Sequence, residues 1–341
     1  MLFSYKSLQN SYNKGAISID TQRIPPKTIQ IYKRLLQRIP LNHPIRQEIE
    51  NKINMTEAGY FGECYVDNFL KQISFPKHFA ILKDVHIPLD QNSFIQIDTL
   101  IITRKYICVL EIKNIKGKIH FQRNPNQLIR ELNGVTTTYK CPEQQLNRHL
   151  KKLQTFLRQS KINIPVKGLI VFAYSSTHIV QPPQFAKITM GCDIPEHIEE
   201  YNELPDVLSQ NTLNRLLTLI ANQSTEFVPK PLAQTYNLEL SHFRTGLICP
   251  ICLHKIANKK HCPVCKTSCN IMQQQAIEDW FYLCRDTISN RECVYFLELK
   301  DKFAANYLLT KLHLDKTNEH RYRHYTLSKS FWLINESSPL V

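Results

Sequence analysis

The stretch Leu100–Asn114, LIITRKYICVLEIKN, constrains the fold of this chain more than any other. Two apolar runs flank a short polar break at Arg104–Lys105, which reads as two adjacent strands joined by a turn. In a strand, alternate residues share a face. Glu111 and Lys113 therefore lie on one face with Ile107 and Val109. In the preceding strand, SFIQIDTLIIT, Asp98 shares a face with Gln96, Leu100 and Ile102. If the two strands pair, Asp98 comes near Glu111. Two carboxylates and an ammonium on an oily sheet are costly unless they are paired with each other or with a bound cation.

The surrounding pattern is that of an α/β core. KTIQIYKRLLQRI, residues 27–39, reads as a basic packing helix, ended by Pro40 and Pro44. A second helix is expected from about Thr56, as N-cap, to about Gln72. KHFAILKDVHIPL, SFIQIDTLIIT, KYICVLEIKN and GKIHFQ follow as strands. PEQQLNRHLKKLQTFLRQ is a helix with Pro142 in its first turn and an apolar stripe of Leu146, Leu150, Leu153 and Leu157. VKGLIVFAYS is a further buried strand. Helices alternating with strands imply a mixed sheet flanked by helices. Residues 176–223 add short helices and loops. The expected domains are a basic arm and packing helix at 1–55, the α/β domain at 56–223, a linker at 224–245, a small cysteine unit at 246–270 and a helical unit at 271–341.

The acidic residues and the lysine suit metal-assisted phosphodiester hydrolysis. Mg²⁺ prefers oxygen ligands, commonly one or two carboxylates with water and substrate phosphate. A lysine beside such an ion can orient an attacking water or neutralise the charge of the transition state. Glu63 lies on a stripe with Val66, Leu70 and Ile73, which brings a further carboxylate toward the sheet. Gln145, His149 and Lys152 form a polar stripe on the later helix. The plain alternative is an ion cluster that only holds the fold together.

GYFGECYVDNFL, QIDTLIIT, VLEIKNIKGKI and CPEQQLNRHLKKL occur in an order and spacing that resemble the nuclease-related domain (NERD) family, of the PD-(D/E)XK, restriction-endonuclease-like superfamily. The resemblance covers roughly residues 56–175. It implies a restriction-endonuclease-like fold and a nuclease site. Asp98 would be the first metal-binding aspartate, Glu111 and Lys113 the (D/E)-x-K pair, Glu63 the acid of a helical Gly-Glu, and Gln145 a motif glutamine. Mg²⁺ or Mn²⁺ would sit between Asp98 and Glu111. Cys141 stands where the family often has asparagine, which affects a helix cap and not the acidic set.

Cys249, Cys252, Cys262 and Cys265 follow the pattern C-x₂-C-x₉-C-x₂-C, the spacing of a tetrahedral zinc site in a zinc ribbon. Cys269 falls outside the pattern, and Cys64, Cys108, Cys192, Cys284 and Cys293 read as core thiols. Beyond the ribbon, three short helices, at about 276–286, 290–297 and 301–313, precede a hairpin containing RYRHYTL. That order resembles a winged helix. Phe303, Tyr307 and Leu308 are expected on the core side of the third helix. Lys302, Asn306 and Lys311 are expected on its outer side, with Arg321 and Arg323 on the wing.

The formal net charge of +14 is concentrated. Residues 1–55 hold nine Lys and Arg against three Asp and Glu, residues 56–175 seventeen against nine, and residues 241–275 five against none. Such blocks suit a polyanion. Nucleic acid, DNA rather than RNA, is the expected partner, with a protein partner at the C-terminal unit as a further option. No run reaches the ~20 apolar residues of a membrane span, and the N-terminus lacks a secretory h-region. The expectation is a cytoplasmic, Mg²⁺-dependent nuclease. The alternative is an inactive nuclease scaffold that binds nucleic acid or regulates. A protein-binding adaptor fits the basic blocks least.

Overall fold

The structure, a computed structural model, describes residues 18–90, 93–224, 229–256, 260–312, 314–317 and 323–327. The chain divides into two compact units, Met1–Pro25 with Thr56–Phe227 and Pro26–Met55 with Val228–Val341. The segment expected as one N-terminal arm is thus shared out. Strand β1 (Ser18–Asp20) belongs to the first unit and helix α1 (Lys27–Arg38) to the second. Helix α2 runs over Arg46–Leu70. Its start is ten residues before the expected cap at Thr56, because nothing in the RQEIENKINM stretch breaks a helix.

The first unit is a six-stranded mixed sheet with a second, four-stranded sheet beside it. Strands β2 (Phe79–Asp90), β3 (Ser93–Thr103) and β4 (Ile107–Lys113) form an antiparallel meander. β5 (Gly117–Gln122), β6 (Gln127–Leu132) and β7 (Val135–Lys140) form a second meander. Helix α3 (Pro142–Gln159) then leads to β8 (Val166–Phe172), which lies parallel to β4. β9 (Thr177–Gln181), β10 (Lys187–Met190), α4 (Ile194–Asn202) and α5 (Gln210–Gln223) complete the unit. The large sheet has the order β1-β2-β3-β4-β8-β10, and the small one β7-β6-β5-β9.

Each face of the large sheet has its own core. Leu82, Leu100, Val109 and Phe172 pack with Leu146, Leu153 and Leu157 of α3. Ile101, Leu110, Leu169 and Val171 pack with Val66 and Leu70 of α2 and with Ile198 of α4. Gly168 makes the α3 contact possible: a Cβ there would lie 2.9 Å from Leu150 Cδ1 and 3.0 Å from Leu146 Cδ1. Strands β6, β7, β9 and β10 go beyond the sequence expectation. The β6–β7 turn at Asn133–Gly134 has φ of 53° and 77°, the positive values a tight hairpin requires.

In the second unit, Ile31, Leu35 and Ile39 pack into the same core as Trp280, Phe296 and Leu309. The expected linker contributes as well. Helix α6 (Leu232–Tyr236) buries Leu232 and Ala233 in that core. At its centre Asp279, 1 % exposed, accepts from Arg34 Nε and Nη2 at 2.8 and 2.5 Å and from Arg38 Nε at 2.8 Å. Arg38 Nη1 also donates to the carbonyls of Arg244 and Gly246, at 3.0 and 2.7 Å.

Strands β11 (Leu247–Ile248) and β12 (Lys255–Ile256) form the cysteine-bearing hairpin. Helix α7 (Cys269–Asp279) starts seven residues before the expected 276 and passes into a π-helical turn, Trp280–Cys284. Then come β13 (Ile288–Ser289), α8 (Asn290–Leu297), α9 (Lys302–Lys311), β14 (Asp315–Lys316) and β15 (His324–Thr326). The three short strands pair in the order β13-β15-β14.

Helix α9 is turned relative to the sequence reading. Ala305, Leu308 and Leu309 are its buried residues, whereas Phe303 is 74 % and Tyr307 69 % exposed. Asn306, expected outside, is half-buried and accepts from the Tyr325 hydroxyl at 3.0 Å. The two alanines and two leucines of the AANYLL stretch allow either face inward, so periodicity did not decide the rotation. Arg321 lies outside the described residues. Of the cysteines read as core thiols, Cys108, Cys284 and Cys293 are buried, Cys64 is half-buried, and Cys192 is exposed.

Candidate active site and cysteine cluster

The β3–β4 pairing sets Thr99 opposite Leu110 and Leu100 opposite Val109. Carried one step further, that register faces Asp98 with Glu111. Asp98 Oδ2 accepts from the Ile112 backbone N–H at 2.8 Å, which pins it to the end of β4. Lys113 Nζ lies 2.5 Å from Glu111 Oε1 and 3.3 Å from Gln145 Oε1 in the first turn of α3. The two-residue spacing thus puts Glu111 and Lys113 on one face, and α3 brings Gln145 over it.

His149, one helical turn after Gln145, also belongs here. Its Nδ1 is 3.2 Å from Glu111 Oε2, at ion-pair distance but without hydrogen-bond alignment, so both atoms are buried with no hydrogen-bond partner. In the sequence His149 was visible as part of a polar stripe. The i, i+4 spacing from Gln145 was the signal that could have added it to the site.

Glu63 reaches the site from α2. Gly62 allows it, since a Cβ there would meet Asn114 Cβ at 2.6 Å. Asn114, directly after Lys113, donates to the Ala58 carbonyl at 2.7 Å and so ties the helix to the end of β4. Glu63 Oε2 accepts from Arg23 Nη1 at 2.6 Å. No sequence pattern pointed to Arg23.

Burial, and then Asp98, push the Glu63 carboxyl up to about 8 against the pull of Arg23. Burial and then Glu111 raise Asp98 to about 6. For Glu111, burial acts upward, but His149 and Lys113 outweigh it and hold the carboxyl below its ordinary value. Burial acts to lower Lys113, yet Glu111 and Asp98 outweigh it and keep the ammonium protonated. Acidic groups that resist ionisation, and one buried carboxylate oxygen without a hydrogen bond, are the features a divalent cation would satisfy. The donors are all oxygens, which fits Mg²⁺ or Mn²⁺. The three carboxylates are not drawn into one tight cluster: among the described residues the cysteine group is the sole set of three or more such ligands with atoms all within 4.8 Å.

That cluster is Cys249, Cys252, Cys262 and Cys265. Sγ–Sγ distances are 3.3 Å for Cys249–Cys265 and 3.4 Å for Cys252–Cys262. The edges of a ZnS₄ tetrahedron at ~2.3 Å per bond are about 3.8 Å, so the four sulfurs need little movement to hold the ion. Each C-x₂-C knuckle ends on a left-handed residue, Leu253 (φ 62°) and Lys266 (φ 64°). The backbone N–H groups of these residues fold back on the carbonyls of Cys249 and Cys262, at 3.1 and 3.0 Å. Thr267, through its hydroxyl and then its N–H, draws the Cys265 thiol down to about 6, toward the thiolate a metal needs.

These two centres define the chain as an α/β protein with an acid–lysine cluster on the central β3–β4 pair of the large sheet and a four-cysteine cluster in a separate unit. Residues 58–173 match the family model described as the nuclease-related domain, NERD, so this chain carries a nuclease-related domain. No curated protein and no solved structure matches the chain. No helix among the described residues is long and apolar enough to cross a membrane.

Proposed function

We propose that the acidic site hydrolyses phosphodiester bonds of nucleic acid, DNA in preference to RNA, with Mg²⁺ or Mn²⁺ held by Asp98 and Glu111. The observation that carries the reading is the convergence of Asp98, Glu111, Lys113 and Gln145 at the end of β4 and the first turn of α3 within a nuclease-related domain. Bound there, the ion supplies Lewis-acid polarisation of the scissile phosphate. Lys113, cationic under the pull of Glu111 and Asp98, orients the attacking water and offsets charge on the phosphoryl oxygens. Gln145 and His149 hold the Lys113–Glu111 pair in place, and Glu63 adds a carboxylate from α2. The four-cysteine unit takes one structural Zn²⁺. The order of helices and strands in β13, α8, α9, β14 and β15 supports a winged helix, and we place the protein in the cytoplasm.

Protons and cations compete at this site, which gives a test. Asp98 and Glu63 have folded-state values above their ordinary ones, so their contribution to stability is present at acid pH and is lost as pH rises through about 6 and about 8. Glu111, shifted the other way, changes nothing between pH 6 and 8. Added Mn²⁺ should therefore raise the melting temperature of the first unit more at pH 8 than at pH 6. No Mn²⁺ effect at either pH would favour the inactive scaffold, in which the ion cluster is purely structural.

The zinc assignment has its own check. One equivalent of zinc should copurify, and Cys262→Ser should release it and open the β11–β12 hairpin. Elemental analysis of native protein that finds no zinc would overturn it.

A further inference from the structure

Arg23 lies 35 residues before the matched segment 58–173, in the chain that leaves β1, and is 8 % exposed. Its Nε and Nη2 form a fork on Asp67, to Oδ2 at 2.9 Å and Oδ1 at 3.2 Å. Nη1 donates to Glu63 Oε2 at 2.6 Å, and Nη2 to Thr99 Oγ1 at 2.8 Å. Glu63 and Asp67 are one turn apart on α2. Thr99 is on β3, next to Asp98. The guanidinium therefore spans the helix that carries one acid and the strand that carries the other.

Its delivery is fixed. The Thr21 N–H donates to the Ile81 carbonyl at 3.0 Å, and Thr21 Oγ1 accepts from the Lys83 N–H at 2.9 Å. These bonds extend the β1–β2 pairing to within two residues of Arg23. Lys83 Nζ lies 2.8 Å from Asp20 and 3.7 Å from Asp67.

We propose that Arg23 is a positioning residue of the acidic site, setting Glu63 against Asp98 for the divalent cation and making the segment after β1 a working part of the nuclease-related domain. The inference rests on the nuclease reading. Asp67 balances the charge of the guanidinium, so Nη1 can hold Glu63 Oε2 by geometry while Oε1 stays outside the clamp. A lysine would keep the charge, but its single ammonium cannot bridge Asp67, Glu63 and Thr99 at once.

Geometry and charge predict opposite signs. Taking a cation away from a cation site should tighten metal binding, whereas losing the group that aims a ligand should weaken it, by about 10-fold or more for partners behind metal ligands. The test is calorimetric titration of the full chain with Mn²⁺ at one pH, with melting in chelator as a record of folding. Arg23→Lys should weaken Mn²⁺ binding by about 10-fold while still melting cooperatively. Thr99→Val, which removes one bond and no charge, should weaken it in the same direction by less, and it reads the clamp where Arg23→Ala does not fold. Folded Arg23→Lys with wild-type affinity, or Arg23→Ala with tighter binding, would overturn the clamp alone. Wild-type protein that takes up no Mn²⁺ would overturn the nuclease reading and the clamp together.

Discussion

Lys113→Ala is expected to keep Mn²⁺ binding close to that of the wild type, or tighter, while cleavage falls by about 10²–10³-fold, the usual cost of losing one preorganised charge at a reacting oxygen. The ammonium is 2.5 Å from Glu111 Oε1, so its removal takes a positive charge from beside the proposed cation. Binding should gain rather than suffer from that change. Glu111 keeps His149 as a neighbour at 3.2 Å. A purely structural cluster predicts another outcome: a fall in stability without Mn²⁺, because a buried carboxylate loses its best partner. Melting and calorimetry on the same sample separate the two.

The largest stability effect should come from the second unit. Asp279→Ala is expected to cost about 3–5 kcal/mol, the range for removing one partner of a buried ion pair. Arg38 is 0 % exposed, and both arginines would remain with their charge facing a void. Arg38 would keep its two backbone acceptors, Arg244 and Gly246, and its place 4.8 Å from the Phe296 ring, which offset only part of the loss. Asp279→Asn should lose less, since the amide oxygen can still accept from one guanidinium. The readout is the denaturation midpoint of the second unit's transition. A change below about 1 kcal/mol would mean that the network relaxes or admits water.

The acid–lysine site was legible because its residues follow from local rules. Period-two alternation put Glu111 beside Lys113, and the short turn at Arg104–Lys105 dictated the β3–β4 pairing that faces Asp98 with Glu111. The cysteine cluster was legible from spacing alone. Arg23 was not, because its three partners lie 40 to 76 residues away and no pattern links them. The same holds for Asp279, whose arginine partners are 241 and 245 residues distant. The β6–β7 hairpin was within reach: Asn133–Gly134 between QLIREL and VTTTYK is a hairpin signal. The rotation of α9 was open, since its leucines and aromatics offer two plausible apolar faces and tertiary packing chose between them.

Metal-dependent cleavage by the Asp98–Glu111–Lys113 set is the property proposed for the first unit. The most direct measurement incubates end-labelled single- and double-stranded DNA and RNA with wild-type protein and Glu111→Ala, in Mn²⁺, Mg²⁺ or chelator. Wild-type protein should cleave in the presence of either ion and not in chelator, and folded Glu111→Ala should not cleave under any condition. Uncut substrates in every lane, from wild-type protein that shows no Mn²⁺ stabilisation, would mean that the set is not a hydrolytic site.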